Sequence, residues 1–228
     1  MVGGAAGPSG QRGHDVAGAA AVGLDAYKKT LAASERDEAA RAQWRAALTG
    51  YDVRQLVFVD ESGTHTSLTR LYGWAPHHQR AMGAVPRNQG KNTTLVAALT
   101  LQGLQAPWTV EGAIDTLAFE RYVQEVLGPT LRPGQVVILD NLSVHKAEVI
   151  RHAIEARRCE RLFLPAYSPD CTPIEQAFSK IKANLRGLGA RTREALLEAV
   201  RQAVGTITAE DATGWFAHTG YPLPAPPS

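Results

Sequence analysis

Short runs of consecutive apolar residues, separated by polar turns, lie through the middle of the chain and predict the strands of one sheet. Residues 55–62 (QLVFVDES) and 135–141 (QVVILDN) each contain four successive apolar positions, a pattern typical of strands buried on both faces. The runs at 93–101 (TTLVAALTL) and 161–165 (RLFLP) predict two further strands, and 72–76 (YGWAP) is expected to end another.

Apolar residues at helical spacing predict the remaining elements. Helices are expected at 115–127 and 145–158, and two more close the domain after the last strand. The order β-β-β-α-β-α-β-α-α predicts an α/β fold with a mixed five-stranded sheet flanked by helices. The first three strands are expected to form an antiparallel meander, and the last two to pair in parallel through right-handed crossovers.

The pattern divides the chain into four parts. Residues 1–25 are rich in Gly and Ala and have few large apolar groups, so a disordered segment is expected there. Residues 26–49 contain strong helix formers and predict a linker helix. The compact domain is predicted at 50–218, and residues 219–228 form a Pro-rich tail that is expected to be extended.

Composition narrows the class of protein. The formal net charge of the 228 residues is +2, so a nucleic-acid surface would have to come from local clustering of bases. The two cysteines, Cys159 and Cys171, form no metal-spaced pair, which is typical of a reduced cytosolic protein. We find neither an apolar run of the roughly 18 residues that a membrane span needs nor a signal-peptide pattern.

Two aspartates follow the doubly buried strands. Asp60 and Asp140 end the runs at 55–62 and 135–141, and the side chains emerge together if these strands are parallel neighbours about 4.8 Å apart. Carboxylates that close repel unless a proton or a cation lies between them. Oxygen ligands of this kind suit Mg²⁺ or Mn²⁺. A single Asp after a strand is a common turn residue, so the hypothesis of a metal site depends on the presence of both aspartates.

Glu175 adds a third carboxylate in a Pro-rich setting. The residues TPIE at 172–175 fit a capping box in which Thr172 caps a helix and Glu175 reaches back to its amide. The same helix carries a polar face that starts at Glu175 and becomes basic at Lys182 and Arg186. Glu175 can therefore cap its helix and still direct a carboxylate at a metal, while the bases below it would follow a phosphate backbone.

Three segments then show a family resemblance. The runs VFVDESG, VVILDNLSVHK and LPAYSPDCTPIEQAFSKIK together resemble the catalytic domain of DDE transposases, and most closely the mariner superfamily in its bacterial insertion-sequence branch. The resemblance extends from about residue 26 to residue 217 and maps the acidic triad onto Asp60, Asp140 and Glu175. The 34 residues between Asp140 and Glu175 match the gap typical of the family. Cys171 and Thr172 depart from its pattern, which usually has an apolar residue and Asn before PIE.

The resemblance implies a ribonuclease H-like fold, in agreement with the predicted element order. It also implies metal-dependent hydrolysis of a phosphodiester followed by DNA strand transfer. Two Mg²⁺ ions, for which Mn²⁺ can substitute, would be bound by Asp60, Asp140 and Glu175, with Asp60 bridging them. The chain contains no G-x-S-x-G elbow or Walker loop that would indicate a different chemistry.

Several residues are candidates for DNA contacts. In transposases of this kind the segment after the second Asp lies near the metals, so Asn141, His145 and Lys146 are expected near a phosphate. His145 has an alternative role as the solvent-exposed start of a helix. Glu61 is a secondary metal-ligand candidate, although strand alternation turns it away from Asp60. The basic face of the last segment adds further DNA-contact candidates: Lys180, Lys182 and Arg186.

Other side chains are expected to be structural. Asp170 is interpreted as a turn residue of the Pro-rich loop, and Trp74 and Trp108 are predicted in the core. His77, His78, Arg80 and Arg87 are interpreted as a solvated basic loop.

The predicted partners are the double-stranded DNA of transposon ends and target. A homodimer is expected on DNA, together with a fused or separately encoded helix-turn-helix region, because only about 50 residues precede the strand of Asp60. The expected location is the bacterial cytoplasm, at the nucleoid. Two alternatives stay open: an inactive DNA-binding remnant of a transposase, and a stand-alone metal-dependent nuclease or phosphatase. The sequence DES at 60–62 disfavours an aspartyl phosphatase, which needs D-x-D.

Overall fold

One mixed sheet of five strands organises the protein, which we describe from a computed structural model covering residues 33–88 and 90–223. The strand order is β3-β2-β1-β4-β5. The first three strands pair antiparallel, and β4 pairs in parallel with both β1 and β5. The predicted meander and parallel pair are thus confirmed. The strands are β1 (Leu56–Thr64), β2 (Thr93–Thr100), β3 (Gly103–Glu111), β4 (Val136–Leu139) and β5 (Glu160–Phe163).

Helices cover both faces of this sheet. The helix predicted at 115–127 begins at Thr116, where Asp115 accepts a hydrogen bond from the amide of Ala118, and continues as a π-helix over Tyr122–Leu127. All described helices and strands belong to one compact unit, residues 35–228. The α-helices are α1 (Glu38–Leu48), α2 (Thr116–Arg121), α3 (Glu148–Glu155), α4 (Ile174–Leu188), α5 (Arg193–Val204) and α6 (Ala209–His218).

The core has two layers, one on each face of the sheet. Leu56 and Phe58 of β1 pack in a cluster with residues of α1 and α4 to α6. Val57 and Val59, which point the other way, pack with residues of α2 and α3. The same alternation occurs along β4. The four successive apolar residues of each strand are therefore explained by burial on both faces, as expected for a central parallel pair.

One predicted strand is wrong and one was missed. Residues 72–76 form no strand, and Tyr72 and Trp74 are 92% and 103% exposed, so the prediction of Trp74 in the core also fails. The partner of β2 is instead β3, which is less uniformly apolar and contains Pro107. Pro107 is tolerated because β3 lies at the sheet edge and carries an extra residue where its register shifts opposite Ala97.

Other expectations can be followed only in part. Helix α1 lies within the predicted linker helix at 26–49, but residues 26–32 fall outside the described residues, as do the predicted disordered segment 1–25 and residues 224–228 of the predicted tail. Trp108 is partly buried and packs against the edge of the core, where its ring stacks on Tyr122 at 6.1 Å between centroids. Among the described residues, no helix combines the length and apolarity that a bilayer crossing requires.

Candidate active site

Strand pairing brings the two aspartates to the same edge of the sheet. The parallel register of β1 and β4 aligns Phe58 with Ile138, and Asp60 and Asp140 lie two residues further along each strand. Both side chains line one cleft of about 410 Å³ at the carboxyl ends of these strands. Clefts at this end of a parallel pair are the usual ligand sites of α/β sheets.

Glu175 lines the same cleft from the second position of α4. The predicted capping box is wrong, because α4 begins at Ile174 after Pro173 and no side chain caps its first turn. Buried Ile174 and Phe178 fix the rotation of the helix about its axis. The carboxylate of Glu175 is consequently exposed, and no described residue forms a hydrogen bond or ion pair with it.

The Pro-rich loop before α4 forms a wall of the cleft and is held by distant residues. The guanidinium of Arg41, in α1, donates to both carboxylate oxygens of Asp170 at 2.9 and 2.6 Å. The hydroxyl of Tyr221 donates to the carbonyl of Cys171 at 2.6 Å. Cys171 and Thr172, the two departures from the family pattern, are both buried, and Cys171 packs in the apolar core. Besides the three acids, the cleft is lined by Asn141, Leu142, Leu164, Pro165, Ala166, Tyr167, Ser168, Pro169 and Thr172.

The acids have unequal electrostatic environments. Burial raises the pKa of Asp60 to about 7; the amide of Glu61 opposes this increase, whereas the carboxylates of Glu175, Glu61 and Asp140 add to it. Burial also acts to raise the pKa of Asp140, but hydrogen bonds from the His145 ring and the amide of Leu142 outweigh it, so that pKa is lowered. The raised pKa of Asp60 therefore comes mainly from burial, and the neighbouring carboxylates reinforce it.

The donor set fits a hard divalent cation. Asp60, Asp140 and Glu175 supply only carboxylate oxygens, the ligands that Mg²⁺ and Mn²⁺ prefer. Within residues 33–88 and 90–223, Asp60 has no cationic partner, although three other carboxylates lie near it. In the same part of the chain, no three His, Cys, Asp or Glu side chains are close enough together to hold one ion. The three acids therefore have the donor chemistry that a divalent cation prefers, but they are spread around an open cleft and are not gathered into a closed site.

His145 and Glu61 are placed differently from expectation. The imidazole of His145 is fully buried, with Nδ1 2.5 Å from Oδ1 of Asp140 and Nε2 2.9 Å from Oε1 of Glu61. A ring without exposed surface fits neither contact with a DNA phosphate nor a solvent-facing helix start. Glu61 points away from Asp60, as strand alternation predicts, and 84 positions separate it from His145 in sequence. No local pattern indicates such a contact.

The DNA-contact candidates separate into two groups. Asn141 and Lys146 are exposed, and Lys182 and Arg186 are half-buried. Neither Lys182 nor Arg186 forms an ion pair with another described residue. Lys180, in contrast, donates to Oδ2 of Asp211 at 2.6 Å, which ties α4 to α6. The basic face of α4 is therefore represented by Lys182 and Arg186.

The sequence as a whole identifies the class of protein to which this site belongs. A family model described as DDE superfamily endonuclease matches residues 55–197, more than half of the chain. The chain therefore belongs to the DDE superfamily of endonucleases. The match includes Asp60, Asp140 and Glu175, and it extends from the turn before β1 into α5.

Solved structures of the Mos1 mariner transposase share the fold. The Mos1 strand transfer complex has a TM-score of 0.66 and 17% identity over 88% of this chain and 63% of that chain. The mariner Mos1 paired end complex with Mg has a TM-score of 0.66 and 18% identity over 86% and 62%. The Mos1 catalytic domain alone has a TM-score of 0.50 and 14% identity over 87% and 100%.

These matches give the protein the ribonuclease H-like fold of DDE transposase catalytic domains. The chain spans less than two thirds of the Mos1 chains in the first two complexes. A comparison with curated proteins gives no match.

Proposed function

We propose that this protein is the catalytic domain of a mariner-superfamily transposase from the bacterial insertion-sequence branch, and that it cuts DNA and joins transposon ends to target DNA. The supporting observation is the convergence of Asp60, Asp140 and Glu175, from three separate elements, on one cleft in a chain of the DDE superfamily. The spacing of these acids along the sequence agrees with that assignment.

In this proposal each acid has a distinct task. Asp60 and Asp140 extend from the ends of the central strands and would bind divalent ions, while Glu175 would complete the ligand set from α4. When bound, Mg²⁺ or Mn²⁺ neutralises charge on the attacked phosphate and lowers the pKa of an attacking water. Because burial raises the pKa of Asp60 to about 7, a cation would compete with a proton for this carboxylate near neutral pH.

The partner in this proposal is double-stranded DNA, both the transposon ends and the target. Mos1 has been solved in a strand transfer complex and in paired end complexes with Mg and with Mn. By analogy, we propose that this chain acts on DNA as a homodimer, with a fused or separately encoded helix-turn-helix region. It would work in the bacterial cytoplasm, at the nucleoid. The proposed contacts to the DNA backbone are the exposed Lys146, the half-buried Lys182 and Arg186, and the side-chain amide of Asn141.

Nicking of supercoiled plasmid with Mg²⁺ or Mn²⁺ tests the proposal. Asp140→Asn and Glu175→Gln are each expected to lower the nicking rate at least about a hundredfold, or about 2.7 kcal/mol of transition-state stabilisation, without unfolding the protein. Glu194→Gln, an exposed acid on α5, serves as the matched control and should cleave like the parent. Parent-like nicking by either active-site variant would exclude the assigned triad.

A second assay separates a transposase from a nuclease. An oligonucleotide that ends in a free 3′-hydroxyl is incubated with plasmid and Mn²⁺, and covalent joining is measured. A transposase joins the two DNAs with the same dependence on Asp140 and Glu175. Cleavage without joining would favour the stand-alone nuclease, and absence of both activities would favour an inactive remnant.

A further inference from the structure

His145 lies behind the cleft and connects the two central strands. Its ring contacts Asp140, which follows β4, and Glu61 of β1, at 2.5 and 2.9 Å. The ring packs against Phe119, with 4.2 Å between centroids, and is fully buried. Neither the sequence pattern nor the family match assigns a role to this buried contact of His145 with Asp140 and Glu61.

The contacts determine how the ring is oriented. The two ring nitrogens contact different carboxylates, those of Asp140 and Glu61, so the imidazole cannot turn without losing one of these contacts. The turn that carries His145 is also fixed, because the guanidinium of Arg161 donates to the carbonyls of His145 and Ala147 at 2.9 and 3.3 Å. The imidazole therefore has little freedom to rotate away from Asp140.

The hydrogen bonds at Asp140 are one-sided. Its Oδ1 accepts from His145 and from the amide of Leu142 at 3.1 Å. No described residue donates to Oδ2, and the side chain lines the cleft. A carboxylate held by one oxygen presents the other in a defined direction, and outer hydrogen bonds of this kind typically tune metal affinity by 10–100-fold.

We propose that His145 is a positioning residue, held in place by Glu61, which fixes Asp140 through Oδ1 so that Oδ2 is presented to a divalent cation. This inference rests on the proposed function, because it needs a cation in the cleft. It also gives Glu61 a task other than metal ligation: the carboxylate anchors the far nitrogen of the ring.

Two substitutions separate the ring's contacts. In His145→Asn the amide nitrogen takes the place of Nδ1 and keeps a donor for Asp140, whereas in His145→Gln it takes the place of Nε2 and reaches Glu61 instead. Mn²⁺ binding is measured by titration calorimetry in the absence of DNA, with folding monitored by circular dichroism. His152→Asn is the matched control, since His152 lies exposed on α3.

A positioning role for His145 predicts a specific order of Mn²⁺ affinities among the parent and the two variants. His145→Asn should bind Mn²⁺ within about threefold of the parent, and His145→Gln should bind at least about tenfold more weakly. Equal weakening in both folded variants, or none in His145→Gln, would overturn the inference while leaving the proposed function intact. A parent protein that binds no Mn²⁺ would overturn both.

The unaltered protein offers a measurement that does not depend on the variants folding. In NMR spectra of protein with ¹⁵N-labelled histidine, the ring N–H signals of His145 are expected to exchange slowly with water, because the ring is buried and in contact with a carboxylate on each side. Its signals are identified by their absence from the spectrum of His145→Asn or His145→Gln, whichever folds, or by through-space contacts to Phe119. Rapid exchange of these ring protons with water would contradict the buried bridge.

Discussion

Arg41 and Asp170 show how a single ion pair can position an active-site loop. The Arg41 side chain is 2% exposed and that of Asp170 is 48% exposed, and the guanidinium contacts both carboxylate oxygens. The hydrogen bond from Arg41 holds the pKa of Asp170 below its usual range. Because Asp170 lies just before α4, this pair determines how the segment leading to Glu175 is attached to α1.

Loss of Asp170 should therefore destabilise the fold. Asp170→Asn removes the two-pronged partner of the buried guanidinium and leaves it, among the described residues, only the exposed Glu38. We expect the free energy of unfolding at pH 7 to fall by about 2 kcal/mol, less than for a fully buried pair because Asp170 is half-exposed. Urea titration measures the difference. Glu198→Gln, which removes an exposed ion pair with Arg201 on α5, should cost less than about 0.5 kcal/mol.

The pH dependence gives this prediction a sign. The folded pKa of Asp170 is lowered, so its stabilising contribution is complete above the ordinary Asp pKa of about 4 and is lost as the pH falls through the folded value. The difference between parent and Asp170→Asn should thus be constant from pH 5 to 7 and shrink below about pH 4. A difference as large at pH 3 as at pH 6 would argue against the ion pair as its source.

At the residue scale, the sequence predicts the acidic triad better than it predicts the contacts between side chains. The acidic triad follows from strand ends and spacing, which are local features. The bridge between Glu61 and His145 and the pair of Arg41 with Asp170 join residues 84 and 129 positions apart, and only the folded chain brings them together. Even a local pattern can mislead: TPIE forms no capping box at Thr172, whereas TAED forms one between Thr208 and Asp211.

The two sides of helix α4 have different roles. One side is buried through Ile174, Phe178 and Ile181, and the other presents Glu175 at its start with bases further along. One of the bases, Lys180, is engaged with Asp211 of α6 and helps to pack the helices. The structure thus divides a basic stripe that looks uniform in sequence into a structural part and a part open to a ligand.

This division predicts different phenotypes along one helix. Replacing Lys182 and Arg186 with Ala should weaken binding to all duplex sequences about equally and flatten the salt dependence by roughly one unit per lost phosphate contact. Fluorescence anisotropy at several salt concentrations measures this slope. Lys180→Ala is the comparison on the same helix: it should lower stability and leave the slope within error. An unchanged slope in the double variant would refute the proposed DNA face.

The strands show what hydrophobic patterning can and cannot predict. Strands β1 and β4 were predictable because burial on both faces imposes an unbroken apolar run. The segment at 72–76 contains large aromatics but stays exposed, since β1 already pairs with β2 on one side and β4 on the other. Strand β3 mixes polar and apolar residues around Pro107, so its pattern resembles a loop until its partner is known.

The arrangement of the whole molecule bears on DNA recognition. In the part of the chain that the structure describes, α1 is the only α-helix before β1, so no helix-turn-helix unit precedes the catalytic domain within those residues. The DNA-contact candidates in the described part of the chain are bases and an amide suited to phosphate contacts, which position a protein but carry no sequence information.

We accordingly expect this protein to bind random duplex DNA and inverted-repeat DNA with equal affinity. Mobility-shift competition between the ends of its own element and a scrambled duplex of equal length measures the ratio. A preference above about tenfold, or about 1.4 kcal/mol, would show that end recognition resides in this chain. Fusion to a helix-turn-helix region from the same element provides the positive control.

The bulge in β3 has a consequence for self-association. An outer strand with free amides and carbonyls is a template on which another copy can add its own strand, the usual first step toward aggregation. At Pro107 the outer strand of this sheet has no amide to offer, and the backbone of Ala106 turns to a φ of 48° beside it. A continuous ladder between two copies is therefore interrupted at this edge. If copies assemble on DNA as proposed, this edge would not let them join into a common sheet, and they would have to meet through side-chain surfaces that can separate again.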